Sequence, residues 1–268
     1  MSETVQTKAY VPFVESDSRS SVADLRARMN EYGYLFFRHL IPTEEVLTVR
    51  RDVLNTIKEA GWLDPSRDMM EGIVKPDIEP KTEGQAEYLS VYRQILRTPS
   101  FHNFPANSAL MGVAQKLLDE EVLVHPRRIG RITFPGSQAF TTPPHQDHFY
   151  IRGSVETYSC WTPLGDCPMS LGGLAVWPGS HHLGFIEHTE SHQGAVGGRG
   201  VPVDETQAEW HTNDFGIGDA LFFRSYTIHK ALPNLSPERL RLSTDNRYQQ
   251  SKDEIDPAAL RPHFDHVK

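Results

Sequence analysis

The stretch "GDALFFRSYTIHKALPNLSPERLRLSTDNRYQ", residues 218–249, decides how the rest of the chain is read. It opens on a short apolar run, Ala220 to Phe223, bounded by Gly-Asp on one side and Ser-Tyr-Thr on the other. Such a run reads as a buried strand. It closes on "LRLSTDNRYQ", a second β-like run, with a Pro- and Asn-containing turn between the two. Side chains two apart on a strand share a face, so Arg241 and Ser243 point the same way. Arg239 has the same parity.

Further β-like runs lie upstream: "EVLVH", "RRIGRITF", "HFYIRG", "ETYSCWTPL" and "GGLAVWPG", separated by turns rich in Gly, Pro and Asp. Short strands at this spacing predict a sandwich or barrel. Before residue 121 the texture is helical. Ser21 is placed to cap a helix that ends near Gly33, and Tyr34 to Phe37 follow as a strand. Thr43 is expected to cap a second helix, with Glu44 and Glu45 at its positive end and Val46, Val49, Val53, Leu54 and Ile57 as its buried stripe. Gly61 ends it. "NSALMGVAQKLLDEE" predicts a third amphipathic helix over about residues 107–120. The chain therefore divides, within a single domain over 1–268, into a loosely held polar arm (1–20), a largely helical part (21–120), a β core (121–250) and a C-terminal tail (251–268). Residues 62–100 mix Pro, Gly, Met and charge and suit a lid.

The bulk numbers exclude several classes. A chain of 268 residues with a formal net charge of −8 has no basic face for nucleic acid or for an anionic membrane surface. No run approaches the ~20 apolar residues of a membrane span. No basic, then apolar, leader opens the sequence. Two cysteines, Cys160 and Cys167, are too few for a disulfide scaffold and are expected to be reduced thiols in a cytoplasmic protein.

Against this frame "TTPPHQDHFYIRG", residues 141–153, stands out. A His-x-Asp pair means little alone: 13 His and 16 Asp in 268 residues produce roughly one by chance. The chain holds two. His263/Asp265 lies in the tail with no β run beside it and is read as solvated. His145/Asp147 is expected at the mouth of a strand, where both side chains can reach one ion. His229, carried inward by the strand before it, is the best third donor, with a satisfied buried histidine as the alternative. Two imidazoles and one carboxylate suit Fe(II) and leave three coordination positions open. Activating O2 at such an iron takes reducing electrons, which a chelating 2-oxo acid supplies. The far carboxylate of that acid needs an interior cation, and Arg241 with Ser243 offers a guanidinium and a hydroxyl together, with Arg239 as the rival. Tyr150, Arg152, Trp177 and Tyr226 flank the metal-site candidates and, with Arg131, are candidates for the substrate pocket or for simple packing.

Together, "HQD" at 145–147, "CWTPLGDCPMSLGGLAVWPGSH" at 160–181, "GDALFFRSYTIHKALPNLS" at 218–236 and "LRLSTDNRYQ" at 240–249 resemble the phytanoyl-CoA dioxygenase family of Fe(II)/2-oxoglutarate-dependent oxygenases. The resemblance spans about residues 25–250. It implies a mainly β fold with flanking α-helices: a double-stranded β-helix (jelly-roll, cupin-like) core with an N-terminal helical buttress. It implies Fe(II) held by His145, Asp147 and His229, 2-oxoglutarate held by Arg241 and Ser243 near Trp161, and O2 as co-substrate. It also implies structural roles for Gly172, Gly173, Pro178 and Gly179, and oxidation of a small molecule with release of succinate and CO2. Related halogenases replace the carboxylate ligand with a small residue. Asp147 is present, which favours hydroxylation. A cupin-like metal hydrolase or isomerase and a non-catalytic jelly-roll binding protein are the alternatives.

Overall fold

The computed structural model describes residues 10–136, 141–190, 198–204 and 207–265. Helix α1 (Val22–Tyr32) starts where the Ser21 side chain accepts the Asp24 amide and stops at Gly33, whose φ of 75° closes the last turn. Strand β1 (Tyr34–Phe37) follows at once. Helix α2 (Thr43–Glu59) buries the expected stripe, plus Arg50. Its N-cap, however, is Pro42 rather than Thr43, and no side chain caps it. The Thr43 hydroxyl is one position too late, already inside the first turn.

Residues 62–100 hold helical structure. They contain α3 (Ala86–Arg97) and the start of α4 (Pro99–Asn103), with the apolar face of α3 buried. Helix α5 (Ser108–Leu118) is capped by the Asn107 side chain and ends on Asp119 in the left-handed region.

The β core follows: β2 (Val122–Val124), β3 (Ile129–Thr133), a single helical turn α6 (His148–Ile151), β4 (Tyr158–Pro163), β5 (Leu174–Val176), β6 (Thr189–Glu190), β7 (Arg199–Gly200), β8 (Ala220–Arg224), β9 (His229–Ala231) and β10 (Arg241–Gln250). "HFYIRG" is thus a helical turn, not a strand. The Tyr150 and Ile151 amides both donate back to the Asp147 carbonyl, and Arg152 ends the turn at φ 55°.

The larger sheet is antiparallel in the order β1-β8-β4-β10-β2, with β3 also pairing to β10. The smaller sheet pairs β5 with β9 and is widened by bridges from His145 to His229, from Val176 to His211 and from Val11 to His211. Two facing sheets of this kind make the jelly roll. The apolar runs are continuous because both faces of the large sheet are covered. Leu35, Phe37, Cys160, Phe222 and Leu242 face out and pack on the helices. Tyr34, Phe36, Trp161, Leu221 and Phe223 face in and pack with Phe215, Leu174 and Val176. Helix α3 and α5 contact the sheet edge strands, so the N-terminal half serves as the buttress of the β core.

The described part of the arm, residues 10–20, is not loose. Phe13 is 4% exposed among Tyr34, Phe36 and Phe215, and Val11 exchanges backbone hydrogen bonds with Trp210 and Thr212. One buried aromatic ring outweighs the polar residues around it, contributing about 2–3 kcal/mol.

Tail and glycines also place themselves. His263 hydrogen-bonds the Tyr92 hydroxyl at 2.7 Å, so the second His-x-Asp pair is docked by its histidine rather than solvated. Gly172, at φ 81°, sits so close to the smaller sheet that a Cβ there would meet the Leu232 carbonyl at 2.4 Å.

Candidate active site

His145, Asp147 and His229 come together inside the β core, with one donor atom of each within 4.8 Å of the others. His145 and His229 are joined across strands by reciprocal backbone hydrogen bonds of 3.0 and 3.1 Å, which sets the two rings 4.1 Å apart between centroids. Asp147 enters from the helical turn rather than from a strand. Its Oδ1 lies 3.7 Å from His145 Nε2 and 3.9 Å from His229 Nε2.

The protonation of both imidazoles follows from their partners. His145 Nδ1 contacts the Pro143 carbonyl at 2.8 Å, and His229 Nδ1 contacts the Thr227 carbonyl at 3.0 Å. A carbonyl oxygen only accepts, so each Nδ1 carries the hydrogen and each Nε2 presents a lone pair to the shared point. Burial, with His145 beside it, pushes His229 down to about 3. Burial alone would raise the Asp147 carboxyl, but Arg247, His145 and His229 outweigh it and hold it well below the usual carboxylate range. His229 and Asp147 are therefore in their metal-binding forms at neutral pH. This donor set fits Fe(II).

The surrounding residues separate into two groups. The cavity over the three donors is lined by Trp161, Leu174, Arg241, Asp245, Arg247, Arg131, Tyr88 and Phe134, among others, and by Lys81, Thr82 and Glu83 from the segment before α3. Arg241 is 4% exposed. Its Nη1 donates to Ser243 Oγ at 2.7 Å, and its Nε has no partner. Burial lowers its pKa, opposed only weakly by Cys167 and Asp245. A buried guanidinium of this kind suits an anion. Arg239 does not line the cavity. Its backbone pairs with Ile73, and its carbonyl accepts from Asn234.

Of the pocket candidates, only Arg131 reaches the cavity. It is already matched by Glu83 at 2.5 Å and Asp245 at 3.0 Å. Tyr150 stands edge-on to His145, 5.8 Å between centroids, and donates to the Arg199 carbonyl. Arg152 is exposed at the end of the turn. Trp177 packs beside Trp210, and Tyr226 packs against His148. Trp177, just past the end of β5, and Tyr226, in the turn before His229, do not line the cavity.

Sequence reasoning missed the inner supports. Gln146, fully buried, donates to the Gly184 and Tyr226 carbonyls and accepts the Ile186 amide, pinning two loops beside the donors. Ser159 and Arg247 both contact the Asp147 carboxylate. The signal for Arg247 was present: it shares strand parity with Arg241, Ser243 and Asp245, so β10 turns a row of four polar side chains inward. "GAVGGRG" falls mainly on residues 194–197, outside the described residues, with Arg199–Gly200 forming β7.

A family model described as phytanoyl-CoA dioxygenase matches residues 29–242, about four fifths of the sequence. The chain belongs to the phytanoyl-CoA dioxygenase family. As a member it is an iron- and 2-oxoglutarate-dependent oxygenase acting on a small molecule. Two 1-deoxypentalenic acid 11-beta-hydroxylases are similar to it. That of Streptomyces exfoliatus is 29% identical over 87% of this chain and 83% of its own, and that of Streptomyces arenae is 28% identical over the same shares. Among solved structures, an alpha ketoglutarate dependent carbocyclase from nogalamycin biosynthesis aligns with a TM-score of 0.60 at 17% identity, over 91% of this chain and 90% of that one. EctD from S. alaskensis, solved with 2-oxoglutarate and 5-hydroxyectoine, aligns at 0.58 and 19%, over 90% and 81%. At such identities these structures speak for the fold.

Proposed function

We propose that this dioxygenase-family chain hydroxylates an unactivated C–H bond of a small molecule, with His145, Asp147 and His229 as the iron ligands and Arg241 with Ser243 as the 2-oxoglutarate anchor. The observation that carries the reading is the buried Arg241 guanidinium, its Nε without a partner, lining the same cavity as the three donors. Bound iron and 2-oxoglutarate supply the oxygen activation, releasing succinate and CO2. The chain's own residues orient and exclude. Pro143 and Thr227 carbonyls fix the imidazole tautomers, Arg241 and Ser243 offer a guanidinium and a hydroxyl to a distal carboxylate, and Trp161 walls the cosubstrate space. The Asp147 carboxylate occupies the position that a halide would need, which favours hydroxylation. A cupin-like hydrolase has no use for an interior cosubstrate anchor, and Arg241 weighs against that alternative.

We place the enzyme as one catalytic domain in the cytoplasm, consistent with Cys160 and Cys167 both free and buried. Among the described residues no helix is long and apolar enough to cross a membrane. Its partner is a small molecule rather than nucleic acid.

The test is direct. Fe(II)-loaded protein should bind 2-oxoglutarate and, with substrate, release succinate in step with O2 uptake. Asp147→Ala and His229→Ala should lose both metal retention and turnover. Wild-type protein that binds no 2-oxoglutarate in the presence of metal would sink the reading.

A further inference from the structure

The two oxygens of Asp147 are held differently: only Oδ2 accepts the Ser159 hydroxyl, while Arg247 reaches both. Asp147 Oδ1 faces both histidine Nε2 atoms, at 3.7 and 3.9 Å. Its Oδ2 takes the Ser159 hydroxyl and Arg247 Nη2, the latter at 3.2 Å, while the same Nη2 lies 3.3 Å from Oδ1. Ser159 and Arg247 are directly opposed residues in the β4–β10 ladder, so two central strands bring one hydroxyl and one guanidinium to the same oxygen. Ser159 is fully buried, and Arg247 is 5% exposed with its Nε and Nη1 lacking partners. A metal that reached Oδ2 would displace the hydroxyl and strip the buried arginine of its best contact.

We infer that Ser159 and Arg247 are positioning residues that restrict Asp147 to metal ligation through Oδ1 alone. Two histidines and a single carboxylate oxygen leave three positions on an octahedral ion. A chelating 2-oxo acid takes two of them and O2 the third. Ligation through both carboxylate oxygens would close one of those positions and compete with the cosubstrate. The cross-strand pair thus protects coordination number rather than supplying a metal ligand. The inference rests on the His145–Asp147–His229 assignment proposed above.

The experiment uses Co(II) in the full-length protein, because the intensity of its visible absorption reports coordination number without turnover. Ser159→Ala, Arg247→Met, their combination and Arg247→Lys are compared with wild type for the Co(II) spectrum, for 2-oxoglutarate affinity and for thermal melting. In Ser159→Ala and in the double variant, the resting Co(II) spectrum should differ from wild type, as the ligand set changes, and 2-oxoglutarate should bind about ten- to hundredfold more weakly. Arg247→Lys should recover part of both. Should Arg247→Met fail to fold, Ser159→Ala decides alone, since it removes a single oxygen. Wild-type spectra and affinity in Ser159→Ala would overturn the inference. Failure of wild-type protein to bind 2-oxoglutarate would instead count against the proposed function, and the Co(II) spectra would still report on Asp147.

Discussion

Arg241 and Arg239 differ by two positions and share strand parity, yet only Arg241 faces the cavity. β10 starts at Arg241, and Arg239 lies in the turn before it, bridged to Ile73. Parity has meaning only inside the ladder, which is why residue spacing alone left both open. A charge-assisted contact to a carboxylate contributes about 1.5–3 kcal/mol, so Arg241→Ala should weaken 2-oxoglutarate binding on the order of ten- to a hundredfold. Arg239→Ala should leave it near wild type. Titration of 2-oxoglutarate into metal-loaded variants measures both, and the reverse order would move the anchor to Arg239. Asp147 was legible from its motif, but the reason first given for its direction was not the physical one. It is the N-cap of a helical turn, and the two backbone bonds its carbonyl accepts from that turn, rather than strand alternation, aim its side chain.

At the level of elements, one glycine links the helical buttress to the metal site. Gly33 ends α1 with φ 75°, and its carbonyl accepts the Thr227 hydroxyl at 2.8 Å. Thr227 in turn holds His229 through its own carbonyl. A Cβ at Gly33 would lie 2.4 Å from His181 Nδ1 and 2.7 Å from Thr227 Oγ1. Gly33→Ala combines a left-handed penalty of about 1–2 kcal/mol with that overlap. It should lower the melting temperature by several degrees and weaken metal retention together, as thermal melting and metal titration would show. Loss of stability with unchanged metal affinity would uncouple the two. Helix α1 and strand β1 were readable because Ser21, Gly33 and the aromatic run all agree. His181 was not. Its ring is buried and meets the Asn30 carbonyl at 2.9 Å, a contact made by residues 151 positions apart.

For the whole molecule, buried histidines set the acid limit. Burial pushes His125 and His181 each down to about 4, against an unfolded value near 6.5. Between these values the unfolded chain takes up protons that the folded chain refuses, so stability falls as pH drops from about 6.5 toward about 4. Each such histidine contributes a slope of about 1.4 kcal/mol per pH unit in that window. Urea unfolding midpoints of metal-free protein at pH 7, 6 and 5 should decline accordingly. His125→Gln, which keeps a polar partner for Gln249, should flatten the decline, and an unchanged slope would remove His125 from the account. The two-sheet architecture was evident in the repeating short strands. The docked arm and the cavity wall at residues 81–83 were not, because a single phenylalanine and a charged segment carry no period to read.

β10 sits between β4 and the edge strands, carries both Arg241 and Arg247, and follows every other strand in the chain. On the ribosome this imposes an order of events. A nascent chain stopped anywhere before β10 already holds His145, Asp147 and His229, yet lacks both the cation for the cosubstrate and the guanidinium that steadies the carboxylate. With the proposed anchor on the last strand, and that strand joining β2, β3 and β4, cosubstrate binding would be a property of the finished polypeptide.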